Sequence, residues 1–88
     1  MNKSKSIHTP EYSDLIDWLT GERKRLGLSQ AEVGESIGMS QSDISKMENQ
    51  ERRMDVLEFK RLLLVYRISD NPKLKRYVQD FFGVGNAG

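Results

Sequence analysis

Cysteine is absent from the 88-residue sequence, and histidine occurs once, at His8. Without thiols the chain can form neither a disulfide framework nor a thiolate metal site, and such a composition suits a reducing compartment. A single histidine in a polar tail also lacks the partners that catalysis or metal binding requires. We therefore predict that the protein is not an enzyme and that it binds no metal and no cofactor.

Long apolar runs are missing as well, since no stretch approaches the roughly 18 residues of a membrane-spanning helix. A signal peptide is not recognisable either. We therefore expect no membrane contact and a cytoplasmic location. The length suits one domain with a small core. We expect a flexible tail over residues 1–8, a domain over residues 9–82, and a glycine-rich flexible tail over residues 83–88.

The formal net charge is only +1, but the charges are unevenly distributed along the chain. Residues 29–51 hold one base and five acids, whereas residues 52–88 hold eight bases and four acids. Positive charge for an anionic partner must therefore come mainly from outside residues 29–51.

Two short helices joined by a glycine turn are predicted between Leu28 and Asn49. Ser29 stands three residues before a glutamate, and this capping-box spacing predicts the start of the first helix. Gly38 lies where a left-handed residue usually ends a helix, and Ser40 can cap the next one. Gly34 supplies a small residue where the first helix must approach the second closely.

The second of these helices has one apolar face and one hydrogen-bonding face. At about 100° per residue, Ile44 and Met47 lie on one arc. The opposite arc holds the side chains that can donate or accept hydrogen bonds: Gln41, Ser42, Ser45, Lys46 and Asn49. In the major groove of DNA, amides can pair with adenine and lysine can reach guanine. A solvated polar face is the alternative, but the pair of short helices favours DNA.

The segment GLSQAEVGESIGMSQSDISKMENQERR, from Gly27 to Arg53, and the following DVLEF resemble lambda-repressor-like or xenobiotic-response-element helix-turn-helix regulators. The resemblance covers roughly Leu15 to Ile68. It implies an all-α, compact bundle of about five helices whose third helix enters the major groove of double-stranded DNA. It also implies that Gln41 reads a base, best an adenine, while Gln30 braces it and touches a phosphate.

Phosphate contacts should come from basic residues on either side of the acidic stretch. The candidates are Arg52 and Arg53 directly after the third helix, Lys3 and Lys5 in the N-terminal tail, and the backbone amides that begin the second and third helices. A solubilising loop is the alternative for the two arginines.

The resemblance carries two expectations about tertiary structure. Arg23 in the first helix should pair with Glu48 at the end of the third helix and so set the angle of that helix. Gln50 and Arg67 stand where many relatives have glycine, and we therefore expect differently shaped turns at these positions.

The first helix is predicted to begin after the cap Thr9 and to end near Leu26. Gly21 lies inside this helix at a cost of about 1 kcal/mol relative to alanine, so we expect a bent or weak helix there. Trp18 falls off the main apolar stripe and fits either a core edge or an exposed contact.

A fourth helix is predicted over Val56 to Tyr66, and a fifth after Asn71. The fourth carries a stripe for the core: Val56, Phe59, Leu62, Leu63 and Tyr66. Its other apolar side chains, Leu57 and Leu64, project to another side and need a cover of their own. Either the fifth helix, with apolar residues at helical spacing, or a second subunit could supply that cover.

The sequence as a whole predicts a DNA-binding transcriptional regulator, a repressor in our interpretation, acting as a homodimer on a palindromic operator in a bacterial or phage setting. Leu57 and Leu64, with Phe81 or Phe82, are the predicted dimer contacts. The alternative is a module of another class, such as an antitoxin, whose main ligand is a partner protein and whose DNA binding is secondary.

Overall fold

The computed structural model describes residues 9–83, which form five α-helices. The helices are α1 (Pro10–Arg25), α2 (Gln30–Ile37), α3 (Gln41–Glu48), α4 (Val56–Val65) and α5 (Pro72–Phe82), with a short 3-10 turn over Ile68–Asp70 before α5. This confirms the predicted all-α bundle containing a helix-turn-helix. The predictions for the two tails, including Lys3, Lys5 and His8, lie outside the described residues apart from Gly83. That glycine ends α5 in the left-handed conformation.

Every one of these five helices begins at a side chain that accepts a hydrogen bond from a backbone amide of the first turn. These capping residues are Thr9, Ser29, Ser40, Asp55 and Asn71. In α2, α3 and α4 the bond is reciprocal, because an acidic residue three positions later accepts from the amide of the cap. Such caps satisfy amides that a helix start would leave unpaired, so these boundaries are set locally.

All five helices contribute to a single apolar core. Its best-buried large side chains are Tyr66, Ile44, Leu74 and Val33. From α3 the core receives Ile44 and Met47, which are only 1% and 3% exposed. Because these two residues hold α3 from one side, the opposite side of this short helix faces solvent.

Gly34 allows α2 to touch the turn that leads into α3. A Cβ atom at this position would lie 2.5 Å from the carbonyl oxygen of Met39, far inside van der Waals contact. The turn itself contains Gly38, whose φ of 77° is in the left-handed region. The close approach predicted from the sequence is therefore confirmed, and a backbone atom enforces it.

The turns after α3 and α4 keep the conformation that glycine favours, although neither contains glycine. Gln50 and Arg67 both have φ near 62°, in the left-handed region that costs a residue with a side chain about 1–2 kcal/mol. The expectation of differently shaped turns is therefore wrong for the backbone. Gln50 is held by a hydrogen bond that the Ser13 hydroxyl donates to its Oε1 over 2.7 Å.

The predicted core stripe of α4 is wrong at Val56, whose surface is 76% exposed. Val56 and Leu57 are the first two residues of α4, and both are exposed at the edge of the core, whereas Glu58 and Phe59 directly after them are buried. The rest of the stripe packs inward, with Phe59, Leu62 and Tyr66 buried and Leu63 half-buried.

Helix α5 packs back on α1 through aromatic side chains. The rings of Trp18 and Tyr77 are stacked with centroids 4.6 Å apart, and the Tyr77 hydroxyl donates to Asp14 Oδ2 over 2.7 Å. Burial raises the pKa of that phenol, and its bond to the carboxylate acts in the same direction. Trp18 is thus half-buried at the edge of the core, which answers the question that its position in the sequence left open. Leu57 and Leu64 stay 54% and 60% exposed.

Candidate nucleic-acid interface

The outward side of α3 carries all the polar residues predicted for it. Gln41, Ser42, Lys46 and Asn49 are exposed, and Ser45 is half-buried. Asn49, which ends the helix, donates to the Ser45 hydroxyl over 3.5 Å. The structure therefore brings these five side chains together on one surface, beside the start of α2.

Two glutamines connect α2 and α3 at this surface. Gln41 Nε2 donates to Gln30 Oε1 over 2.6 Å, and Gln30 Nε2 donates to Glu48 Oε1 over 2.9 Å. Gln30 is half-buried, whereas Gln41 is exposed. The hydrogen bond from Gln41 to Gln30 thus braces the Gln41 amide within the protein itself.

Below the glutamines lies the ion pair that the sequence predicted between Arg23 and Glu48. The Arg23 Nε and Nη2 atoms donate to the two carboxylate oxygens of Glu48 over 2.7 and 2.9 Å. Nη1 donates to the Leu28 carbonyl oxygen. Both side chains are little exposed, at 11% and 13%. The pair with Glu48 raises the pKa of the Arg23 guanidinium, so Arg23 remains a cation and ties the end of α3 to α1.

The two arginines after α3 make contacts within the protein that the sequence did not predict. Arg52 donates through Nη1 and Nη2 to both carboxylate oxygens of Glu58, over 3.0 and 2.7 Å. The Arg53 guanidinium lies over the Tyr12 ring, 4.6 Å from its centroid. Tyr12 in turn accepts a hydrogen bond from the backbone amide of Met54. The loop between α3 and α4 is therefore fastened to both α1 and α4.

Glu58 could have been recognised from the sequence as the reciprocal partner of the cap Asp55, three residues earlier. Its ion pair with Arg52 follows from the path of the loop and had no local signal. A second unpredicted contact joins α1 to α5, where Asn71 donates to Glu22 Oε1 over 2.6 Å. The pKa of the Glu22 carboxyl lies below its ordinary value because Arg25 donates a hydrogen bond to it and, with a smaller effect, Asn71 does the same.

The pair between Arg52 and Glu58 should make part of the stability depend on pH. Arg52 lowers the pKa of Glu58 below the ordinary value of 4.5, so the unfolded state binds its proton first. The contribution is complete above that value and is lost as the pH falls through the folded-state pKa. We expect Arg52→Ala to cost about 1 kcal/mol at pH 7, a value reduced by the partial exposure of Arg52, and clearly less at pH 3, below the ordinary pKa of a glutamate.

Urea unfolding at both pH values measures this difference. The exposed Lys60 on α4 provides the control, because Lys60→Ala removes a cation without removing a partner of Glu58. An equal loss of stability in Arg52→Ala at both pH values would show that the ion pair is not its cause.

Two structural features are absent from the part of the chain that the structure describes. Among residues 9–83, no three histidine, aspartate or glutamate side chains are grouped so that they could hold a metal ion. Within the same residues, no helix is long and apolar enough to cross a bilayer.

A family model described as helix-turn-helix, of the xenobiotic-response-element and lambda-repressor-like type, matches residues 22–71. The match covers more than half of the chain and includes α2, α3 and α4 whole. The chain therefore belongs to this helix-turn-helix family of DNA-binding regulators. No curated protein shows significant similarity to it.

Proposed function

We propose that the protein is a transcriptional repressor that binds a palindromic operator as a homodimer and inserts α3 into the major groove. The observation that carries this proposal is the outward face of α3, where an exposed amide, Gln41, is already braced by Gln30. A side chain held in its binding geometry loses less entropy when it pairs with a base. We place the protein in the cytoplasm, in a bacterial or phage setting and associated with the nucleoid, because the operator DNA would lie there.

Each residue of this face has a role in the proposal. Gln41 pairs with an adenine, which offers one donor and one acceptor to an amide. The neighbouring base edges are contacted by four other side chains of the same surface: Ser42, Ser45, Lys46 and Asn49. Gln30 touches a phosphate through its second amide N–H, since its first N–H and its oxygen already bond Glu48 and Gln41.

Arg52 and Arg53 are proposed to contact phosphates next to the groove. The Arg52 side chain is 37% exposed even while it pairs with Glu58, so part of its guanidinium can face DNA. The pairing also fixes its position, because both terminal nitrogens are bonded to one carboxylate. Few cations flank α3, and we therefore expect a weak dependence of affinity on salt.

A second subunit is proposed because apolar side chains remain uncovered on α4 and α5. The exposed fraction is 76% for Val56, 54% for Leu57, 60% for Leu64 and 55% for Phe82. The Phe82 ring lies 6.0 Å from that of Phe59, so the end of α5 lies next to α4. One reading helix covers few base pairs, and a dimer doubles that number across half-sites about one helical turn apart.

Selection of bound duplexes from a random pool tests the proposed function. We expect enrichment of an inverted repeat whose half-sites are about one helical turn apart and contain an adenine. Enrichment of single half-sites would contradict the dimer but leave specific DNA binding intact. If no sequence is enriched, the proposed repressor function is contradicted. The alternative, in which the main ligand is another protein, is then supported.

Sedimentation of the wild type and of Leu64→Glu tests the dimer. At tens of micromolar we expect a dimer for the wild type and a folded monomer for the variant, because an interface would have to desolvate the new carboxylate. Lys60→Glu, an exposed change on the same helix, should remain dimeric. A wild-type monomer at this concentration would contradict the proposal, and an unfolded Leu64→Glu would place Leu64 in the core.

The second candidate function is an antitoxin-like module that binds a partner protein and binds DNA secondarily. The same exposed apolar side chains of α4 and α5 favour it, since they can meet a different protein as well as a second copy. It predicts a wild-type monomer without its partner. The sedimentation experiment therefore separates the two functions.

A further inference from the structure

We infer that Glu48, which is largely buried, decides how the Gln41 amide is oriented and therefore which strand of an A·T base pair must carry the adenine. This inference rests on the proposed function, since it requires Gln41 to read a base. Glu48 is a positioning residue here, because it acts only through Gln30. The four side chains concerned, Arg23, Glu48, Gln30 and Gln41, are called the amide relay below.

The first step of the relay is the carboxylate of Glu48. An ionised carboxylate accepts hydrogen bonds and donates none. Arg23 holds it from α1 through two bonds of 2.7 and 2.9 Å, and the carboxylate side chain is 13% exposed. Contacts within the protein therefore fix both its acceptor character and its position.

The second step is Gln30, whose amide has one donating end and one accepting end. Only the NH₂ group can face Glu48, and Gln30 Nε2 lies 2.9 Å from Glu48 Oε1. The reverse orientation would place an amide oxygen against a carboxylate oxygen, with no proton between them. The Glu48 carboxylate thus determines that Gln30 turns its oxygen toward α3.

The third step transfers this orientation to Gln41. The Gln30 oxygen needs a donor, and Gln41 Nε2 supplies it over 2.6 Å. One N–H of Gln41 is used in this bond. The other N–H and the Oε1 atom remain for a ligand, in an order that the relay has fixed.

The order of donor and acceptor distinguishes the two orientations of one base pair. Adenine shows its N7 acceptor and its N6 donor side by side in the major groove, and the order is reversed when adenine lies on the opposite strand. An amide held in one orientation pairs with one of these arrangements, whereas an amide free to turn over pairs with both. The relay therefore converts a preference for adenine into a preference for adenine on one strand.

The test compares the affinity for two duplexes that differ only by inversion of the A·T pair that Gln41 reads. We expect the wild type to prefer one duplex by about tenfold, which is the lower range for a bidentate base contact. Gln30→Met removes the brace, and the ratio should fall below about twofold. Any phosphate interaction that Gln30 makes does not enter the ratio, because its removal weakens binding to both duplexes equally.

A double variant, Arg23→Met with Glu48→Met, tests the origin of the relay while both glutamines remain. Replacement of a buried ion pair by apolar side chains of similar size is often tolerated, and circular dichroism checks the fold. We expect the ratio to fall as in Gln30→Met. The exposed Gln79 on α5 is the matched control, and Gln79→Met should keep the wild-type ratio. If the double variant unfolds, Gln30→Met remains the test, because a wild-type ratio retained in it would show that the Gln41 amide does not take its orientation from Gln30.

A wild-type ratio retained in Gln30→Met, or in the folded double variant, would overturn the inference and leave the proposed function standing. Failure of the proposed base reading has a different signature, since Gln41→Ala would then keep the sequence preference of the wild type.

Discussion

Gly34→Ala is expected to destabilise the protein by about 2–3 kcal/mol, the upper part of the range for an overpacked site. The new Cβ atom would lie 2.5 Å from the Met39 carbonyl oxygen and 3.2 Å from two backbone atoms of Ser40. These atoms belong to the turn and cannot rotate away as a flexible side chain would. The turn must move, and it carries Ser40, the cap of α3. DNA affinity should therefore fall together with stability.

Gly21→Ala is the matched control and should change stability in the opposite direction. Gly21 lies inside α1, and nothing within 4 Å would meet its Cβ. Alanine there should stabilise the protein by about 1 kcal/mol, because glycine is the weaker helix former. Urea unfolding of both variants measures the two effects. If the stability of Gly34→Ala lies within about 0.5 kcal/mol of the wild type, the change is no larger than that of a neutral surface substitution. The turn would then be able to relax, contrary to this account.

The parts of the fold that follow from short spacing were predictable from the sequence. The capping boxes and Gly38 depend on residues within three or four positions, and the amphipathic pattern of α3 depends on one helix period. The pair between Arg23 and Glu48 joins residues far apart in the chain, and only the family resemblance made it predictable. The same is true of the contact between Gln30 and Gln41.

The unpredicted features depend on how the helices are arranged in space. Glu22 and Asn71 are 49 positions apart, and their hydrogen bond exists because α5 begins beside α1. The stacking of Trp18 on Tyr77 has the same origin. Val56 continues the helical period of the core stripe, yet it is exposed because the core does not reach the first two residues of α4. Helical periodicity predicts which face of a helix packs inward, but it does not predict where along the helix the core ends.

Gln41→Ala is expected to lower the affinity for the selected operator by about 1–3 kcal/mol and to leave the affinity for unrelated DNA nearly unchanged. The Gln41 side chain is exposed and donates its hydrogen bond to Gln30 at the surface, so the variant should fold normally. Non-specific binding depends on cations that neutralise phosphates, and Gln41 is not one of them. The variant thus separates base reading from general attraction to DNA.

The claim that α3 reads DNA is tested by dissociation constants. They are measured for the wild type, for Gln41→Ala and for the exposed control Gln79→Ala. Each protein is titrated at one salt concentration against the selected operator and against a duplex of the same composition in scrambled order. The account predicts that the ratio of the two constants falls about tenfold or more in Gln41→Ala and stays at the wild-type value in Gln79→Ala. A wild-type ratio in Gln41→Ala would contradict it.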